Sequence, residues 1–205
     1  MKKILTTGLF LTLAILGLNA QDGYKVGDKA EDFKLKNIDG KMVSLSEFDK
    51  ATKGAILIFT CNHCPYAIAY EDRIIDLDKK FSKKGYPVIA INPNDPEIQP
   101  KDSYENMIVR AKEKGFTFPY LFDETQEVYK MYGAKRTPHV YLLSKKGKGF
   151  VVSYIGTIDD NYKDASAVEK TYLADAVMAV LDGKKPDPNF TKAIGCTIKD
   201  KEYKK

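Results

Sequence analysis

Two of the three cysteines in this chain lie in the tetrapeptide Cys61-Asn62-His63-Cys64, which has the spacing of a redox-active dithiol. Three cysteines cannot all pair within one chain, so at least one thiol must have another role. A disulfide between cysteines this close in sequence closes a loop too small to add much stability by constraining the unfolded chain. Chemistry explains the pair better than stabilisation does. The sequence therefore predicts a reversible Cys61–Cys64 disulfide that works without a further cofactor.

The segments on either side of the tetrapeptide predict its place in the fold. Residues 55–59 form a continuous apolar run, typical of a strand buried on both faces. A helical pattern begins directly after Cys61, with Pro65 in its first turn, where a missing N–H does no harm. The unpaired N–H groups of the helix N-terminus favour a thiolate at Cys61, and the next turn brings Cys64 within disulfide reach. Such a thiolate is a good leaving group, so the disulfide is readily passed on.

His63, directly before the second cysteine, is expected to tune the redox couple. It offers a hydrogen-bond donor and, when protonated, a positive charge next to the thiolate. Stabilising the reduced form by about 1.4 kcal/mol raises the potential of a two-electron couple by about 30 mV. The sequence therefore predicts a disulfide that is more oxidising than that of thioredoxin.

The remaining elements predict one α/β domain. Alternating runs at 31–36 and 41–45, separated by Asp39-Gly40, indicate an N-terminal β-hairpin, and a strand at 88–91 completes a βαβ unit. The elements expected after it are a loop at 92–100, a helix capped by Asp102 or Ser103 and running to Lys114, a strand at 119–122, a helix at 124–132, a hairpin of 140–143 with 150–155, and an amphipathic helix from Val168 to Gly183. The domain spans 21–185, with a central mixed sheet flanked by helices, and a tail without clear periodicity follows at 186–205.

The N-terminus has the pattern of a secretory signal peptide. Met1-Lys2-Lys3 precedes an apolar run from Ile4 to Leu18, and the predicted cleavage follows Ala20. The apolar run is shorter than the roughly 20 residues that span a bilayer, so we expect a cleaved chain without a stable membrane anchor. The expected location is the periplasm or another exported compartment. The formal net charge of +5 is spread along the chain apart from a C-terminal lysine cluster, which excludes nucleic acid as a predicted partner.

Taken together, these motifs resemble those of a known family. The segments are 26–33 (VGDKAEDF), 40–45 (GKMVSL), 61–65 (CNHCP), 136–139 (RTPH), 156–161 (GTIDDN) and 195–196 (GC). They are similar to the redoxin (AhpC/TSA) branch of the thioredoxin superfamily, in particular to its peroxiredoxin-like group. The resemblance covers about residues 24–198. It implies a thioredoxin-like fold and an exported thiol–disulfide oxidoreductase that exchanges disulfides with protein thiols and with a membrane or periplasmic redox partner.

The resemblance also implies substrate-binding residues. Thr137-Pro138 would carry a cis-proline loop that faces the two cysteines and binds substrate cysteines through its backbone. His139 would then lie near Cys61, so that both histidines of the chain cluster at one site. Thr60 stands where thioredoxin has a tryptophan. Asn62, Pro65, Arg136 and Cys196 complete the candidate site residues, and no resident metal is expected.

Two other functions compete with this interpretation. In a thiol peroxidase, Cys64 would attack peroxide and Cys61 would resolve the sulfenic acid. However, Cys61 and Leu57 occupy the positions of the threonine and leading proline that activate peroxide in peroxiredoxins. In a copper chaperone similar to the Sco proteins, two cysteines and a distal histidine would bind copper, although Sco proteins separate their cysteines by three residues.

Cys196 leaves two possibilities open. It is either an isolated thiol in the tail, or a third redox cysteine that pairs with Cys61, with Cys64 or with a partner protein.

Overall fold

The computed structural model describes residues 23–48 and 52–202, so the predicted signal peptide at 1–20 lies outside the described residues. The strands are β1 (Lys29–Ala30), β2 (Lys34–Asn37), β3 (Met42–Ser44), β4 (Gly54–Phe59), β5 (Val88–Asn92), β6 (Tyr120–Phe122), β7 (Arg136–Thr137), β8 (His139–Lys145), β9 (Phe150–Gly156) and β10 (Cys196–Thr197). The α-helices are α1 (Pro65–Phe81), α2 (Tyr104–Lys114), α3 (Glu127–Tyr132) and α4 (Tyr172–Leu181). Short 3-10 turns lie at Leu45–Phe48, Ser82–Lys84, Pro100–Asp102 and Ala165–Ala167.

A mixed sheet forms the centre of the molecule. Its strand order is β1-β9-β8-β4-β5-β6-β2-β3, and β7 with β10 forms a separate two-stranded ribbon. Strands β4, β5 and β6 are parallel, whereas β8 runs antiparallel to both of its neighbours, β4 and β9. All six residues of β4 are buried, as its continuous apolar run predicts. The predicted thioredoxin-like α/β architecture is confirmed.

Alternation along β4 divides the core into two layers, because successive side chains point to opposite faces. Ile56 and Ile58 pack in one layer with residues of α1 and α4, among them Phe81 and Val177. Leu57 belongs to the other layer, which includes side chains of α3 and of the N-terminal segment. The sheet is therefore covered on both faces, and the loops at the ends of β4 and β5 are held rigidly.

The N-terminal hairpin forms as predicted. β2 pairs with β3 across a turn in which Gly40 has φ of 82°, a conformation that glycine adopts without strain. β2 also pairs with β6, which attaches the hairpin to one edge of the sheet.

Several boundaries differ from the prediction, among them the start of α3, which lies at Glu127 and not at 124. Helix α4 begins at Tyr172, so Val168 lies before it, directly after a 3-10 turn. The predicted tail is not a separate extension: β10 pairs with β7, and Ile198 is buried against the core. The sequence pattern missed this because two-residue strands carry no periodicity. Within 23–48 and 52–202, no helix is long and apolar enough to cross a membrane.

Candidate redox site

The two cysteines of the tetrapeptide lie where strand β4 passes into helix α1. Thr60 continues the ladder by donating its N–H to Ile91 O at 2.8 Å, and the next three residues turn the chain. Cys64 is the N-cap residue of α1, and Pro65 is its first helical residue. Cys61 is 3% exposed and Cys64 is fully buried. The strand-to-helix setting is confirmed, but Cys64, and not Cys61, occupies the helix N-terminus.

The disulfide in this structure joins Cys64 to Cys196 across 132 residues, with a Cα–Cα distance of 6.0 Å. Cys61 is a free, buried thiol. The predicted Cys61–Cys64 disulfide is therefore not the one formed in this structure, and of the two possibilities for Cys196 the pairing with Cys64 is observed. The reason is the β7–β10 ribbon, in which Cys196 pairs with Thr137 and is thereby brought beside Cys64. The third cysteine belongs to the site.

The predicted cis-proline loop is confirmed in its position. The Thr137–Pro138 peptide bond is cis, and both residues are buried. The Thr137 hydroxyl lies 3.2 Å from Cys61 Sγ, and its carbonyl oxygen lies 3.2 Å from Cys64 Sγ. One residue of the loop therefore contacts both sulfurs of the tetrapeptide.

Gly195 permits the approach of the C-terminal segment to this loop. A Cβ atom at this position would lie 2.2 Å from Thr137 O and 2.6 Å from Thr137 C, which are backbone atoms that cannot move aside easily. The side chain of Arg136 donates to Gly195 O at 3.1 Å and holds the same segment from outside. Any side chain at residue 195 would separate the ribbon that carries Cys196.

We expect Gly195→Ala to destabilise the protein by about 1–3 kcal/mol, as overpacked sites do, and to lower the fraction of molecules with the Cys64–Cys196 disulfide. Urea unfolding and non-reducing peptide mapping measure the two effects. Gly149→Ala is the matched control, because a Cβ there meets only Lys29 Cε at 3.7 Å. Equal behaviour of the two variants would show that the close contact at Gly195 does not hold the ribbon.

Asp102 is a component of the site that the sequence analysis assigned only as a helix cap. Its side chain is fully buried, and it accepts hydrogen bonds from the N–H groups of Asn62 at 2.8 Å and His63 at 3.2 Å. It also lies 2.5 Å from His63 Nδ1 and accepts from Asn94 Nδ2 at 2.7 Å. The helix cap is Ser103 instead, whose hydroxyl accepts from the N–H of Asn106. The sequence gives one sign of this role: Asp102 stands directly before Ser103, and a helix needs only one such capping residue.

The geometry of His63 decides what it can do. Its Nδ1 lies 2.5 Å from Asp102 Oδ2 and 3.6 Å from Cys61 Sγ, so a single ring nitrogen faces both groups. A nucleophile–base–carboxylate triad needs the two ring nitrogens to face different partners. Since Nδ1 donates to Asp102, it is not available to remove a proton from Cys61. His63 is therefore a donor between a carboxylate and a sulfur, not the base of a triad.

The electrostatics of Cys61 contradict the predicted thiolate. Burial, and after it the negative charge of Asp102, raise the pKa of Cys61 to about 12. Hydrogen bonds from Thr137 and from the N–H groups of Cys64 and His63 lower this pKa by less. Cys61 is not the thiolate that its position in the sequence predicts, because Cys64 occupies the helix end instead and because a buried carboxylate 41 positions along the chain lies beside Cys61.

Asn62 and His139, the remaining polar candidates of the tetrapeptide and the cis-proline loop, make hydrogen bonds that hold the backbone. The side chain of Asn62 accepts from Tyr120 Oη at 2.9 Å and donates to Lys101 O at 3.0 Å, which fixes the turn before α1. His139 does not join His63: its ring accepts from the N–H of Lys135 at 3.3 Å and packs on Tyr141. His139 instead lines, with Arg136, a cleft of about 450 Å³. Among the described residues, the histidine and acidic side chains grouped around Cys61 are those of His63 and Asp102, and His139 is not one of this group.

The copper alternative lacks one of its two cysteine ligands in this structure, since Cys64 is in a disulfide. Cys61, His63 and Asp102 do bring a sulfur, a nitrogen and an oxygen within 4.8 Å of one another. Both oxygens of Asp102, however, already accept N–H donors. These three residues fit a hydrogen-bonded network better than a metal site.

The mixed sheet, the helix after β4 and the cis-proline loop facing the cysteines define a thioredoxin-fold redox protein. The AhpC/TSA family model matches residues 26–155, and the chain belongs to this family. Peroxidoxin BcpB from Mycobacterium tuberculosis, at 19% identity and a TM-score of 0.57, shares the fold.

Several relatives carry the name thiol-disulfide oxidoreductase ResA. The one from Geobacillus thermodenitrificans is 28% identical over 153 residues, which cover 70% of this chain and 81% of that protein. Among solved structures, an uncharacterized conserved protein from Geobacillus kaustophilus is 35% identical with a TM-score of 0.80, covering 88% of this chain and 94% of that one. A hypothetical protein from Sinorhizobium meliloti 1021 is 31% identical, also with a TM-score of 0.80, covering 88% and 97%. The relatives confirm the predicted enzyme class, a thiol–disulfide oxidoreductase.

Proposed function

We propose that this protein is an exported oxidoreductase that exchanges disulfides with protein thiols through the cysteines around helix α1. The observation that carries the proposal is the position of Cys64: it is disulfide-bonded, it caps a 17-residue helix, and it faces the cis-proline loop. Its partners are protein thiols or disulfides and a membrane or periplasmic redox protein. The basic and apolar pattern of residues 1–20 supports export.

Cys64 has the properties of a good leaving group. No side chain caps α1, and Pro65 has no N–H, so the N–H groups of the first turn are available to a thiolate at Cys64. The helix dipole adds a favourable potential at the same place. Reduction of a Cys64 disulfide therefore places negative charge at the helix N-terminus, where the N–H groups and the dipole offset the cost of burying that charge, which supports an oxidising couple.

Cys64 can also form the disulfide that the sequence predicts. Cys61 would attack Cys64 Sγ, form the Cys61–Cys64 bond and release Cys196, which takes up the proton that Cys61 loses. No electrons are gained or lost in this exchange. Cys64 is thus the cysteine common to both disulfides. Cys61 is the buried thiol that can exchange with it inside the protein.

No observation favours the peroxidase alternative. A peroxidatic cysteine must be a free thiolate that peroxide can reach. Cys64 is bonded to Cys196 and is fully buried, and Cys61 is buried with a pKa of about 12.

Exchange between the oxidised protein and a reduced two-cysteine peptide tests the proposal. We expect Cys64→Ser to lower the rate of peptide oxidation to that of an unassisted thiol, because both disulfides require this sulfur. Quenching with N-ethylmaleimide and mass spectrometry measure the rate. Met42→Ser, at an exposed residue of the edge strand β3, four strands away from β4, is the control and should match the unsubstituted protein. Exchange by Cys64→Ser at the unsubstituted rate would contradict the proposal.

A further inference from the structure

We propose that Cys196 is the sulfur at which partner thiols and disulfides enter, and that Cys64 is the sulfur released behind it. This inference rests on the proposed function and adds a third cysteine to its mechanism. It assigns a catalytic role to the C-terminal segment, which the sequence pattern left as a tail.

Accessibility separates the three sulfur-bearing residues. Cys64 is fully buried and Cys61 is 3% exposed, whereas Cys196 is only partly buried. Residues close to Cys196 on both sides are open to solvent: Ile194, two positions before it, is 44% exposed, and Thr197, directly after it, is exposed. A partner thiolate must contact the sulfur that it attacks. Of the two sulfurs in the disulfide, Cys196 is the one that a partner can reach.

The fold also favours Cys64 as the leaving group when a partner attacks Cys196. Attack at Cys196 releases Cys64, which lies at the uncapped N-terminus of α1 and gains its N–H groups and dipole as a thiolate. Attack at Cys64 would instead release Cys196, which lies in a two-residue strand without a helix end of its own. Because exchange is faster when the leaving thiol has the lower pKa, access and leaving-group chemistry select the same direction.

A partner that carries two thiols is oxidised in two successive exchange steps. One partner thiolate bonds to Cys196 Sγ, the Cys64–Cys196 bond breaks, and its electron pair stays on Cys64. The second partner thiolate then attacks the partner sulfur of the mixed disulfide and releases the Cys196 thiolate. The partner leaves as a disulfide, and this protein has gained two electrons as the Cys64 and Cys196 thiols. The reverse sequence reduces a partner disulfide.

Anchors on both sides of Cys196 keep the reduced thiol beside Cys64. On one side, Gly195 lies against the backbone of Thr137. On the other, Lys199 donates its N–H to Asn94 Oδ1 at 2.8 Å and accepts from the N–H of Asp95 at 2.7 Å. None of these contacts requires the disulfide. Re-formation of Cys64–Cys196 is therefore intramolecular, with the advantage in effective concentration that fixed neighbours have.

Trapping with the Cys64→Ser protein tests the entry sulfur. The reduced variant is mixed with glutathione disulfide, and peptide mapping identifies the cysteine that carries the glutathionyl group. We expect the adduct on Cys196 to form at least about 10-fold faster than on Cys61, because Cys196 is only partly buried, whereas Cys61 is buried and its burial raises the pKa of the thiol. Faster labelling of Cys61 would overturn the assignment.

A second variant keeps the native disulfide, in case loss of Cys64 unfolds the protein. Cys61→Ala protein with Cys64–Cys196 intact is mixed with reduced glutathione, and N-ethylmaleimide then blocks the released thiol. Glutathione on Cys196 with the maleimide on Cys64 supports the proposal, and the opposite distribution overturns it. If the Cys64→Ser protein instead oxidises the two-cysteine peptide at the unsubstituted rate, the proposed function itself has failed.

Discussion

Asp102→Asn should make the Cys61 thiol react with iodoacetamide about 3- to 10-fold faster at pH 8. The carboxylate lies within 4.8 Å of the sulfur, and its negative charge opposes the thiolate. At that distance, removing one charge is worth about 1–3 kcal/mol for a dielectric constant between 80 and 20, or a pKa lower by about 1–2. The larger thiolate fraction is offset in part by lower nucleophilicity of each thiolate. Asparagine is preferred to alanine because its oxygen still accepts one of the N–H donors.

The assay is specific because Cys61 is the one free thiol among the three cysteines, all of which lie in the described part of the chain. Asp159→Asn is a suitable control. Asp159 is also a buried carboxylate, but it pairs with Arg73 at 2.6 Å and accepts a hydrogen bond from Tyr70. It is not among the groups that shift the pKa of Cys61. The Asp159→Asn substitution should therefore leave the rate of Cys61 alkylation unchanged. If Asp102→Asn slows alkylation, Asp102 acts mainly by holding the Nδ1 side of the His63 ring next to the sulfur.

The second large effect concerns His139 and acid stability. Burial, and after it the charge of Lys135, lower the pKa of His139 to about 4 from an ordinary value of 6.5. Between these two pH values the unfolded chain binds a proton that the folded protein does not. The neutral His139 therefore makes its full contribution to the free energy of unfolding above about pH 6.5. This contribution is lost as the pH falls from about 6.5 to about 4. The total loss is about 3 kcal/mol.

Urea unfolding of the unsubstituted protein and of His139→Gln, at pH 7 and pH 4, measures this contribution. Glutamine retains an acceptor for the N–H of Lys135, which His139 Nδ1 now satisfies. The variant should lose about 3 kcal/mol less than the unsubstituted protein between the two pH values, whatever its stability at pH 7. An equal loss in both proteins would mean that His139 takes up its proton over the same pH range in the folded protein as in the unfolded chain.

The local parts of this protein follow from its sequence with good accuracy. The apolar run at 55–59 predicts the buried strand β4, and the pattern after Cys61 with Pro65 predicts α1. Hydrophobic periodicity and turn residues act between neighbours, so a short window contains the information. The family resemblance supplied the cis-proline loop.

The chemistry of the site depends on contacts that no window contains. The tetrapeptide predicts a redox dithiol, and Cys64 at the strand-to-helix junction agrees with it. Only the tertiary structure decides that Cys64 pairs with Cys196, 132 residues away, because a two-residue ribbon brings them together. It also decides that Asp102 lies buried beside His63, and that Cys61 is a thiol with a raised pKa. Sequence patterns identify which residues can do redox chemistry, whereas burial and long-range neighbours determine which sulfur is bonded, which is charged and which is accessible.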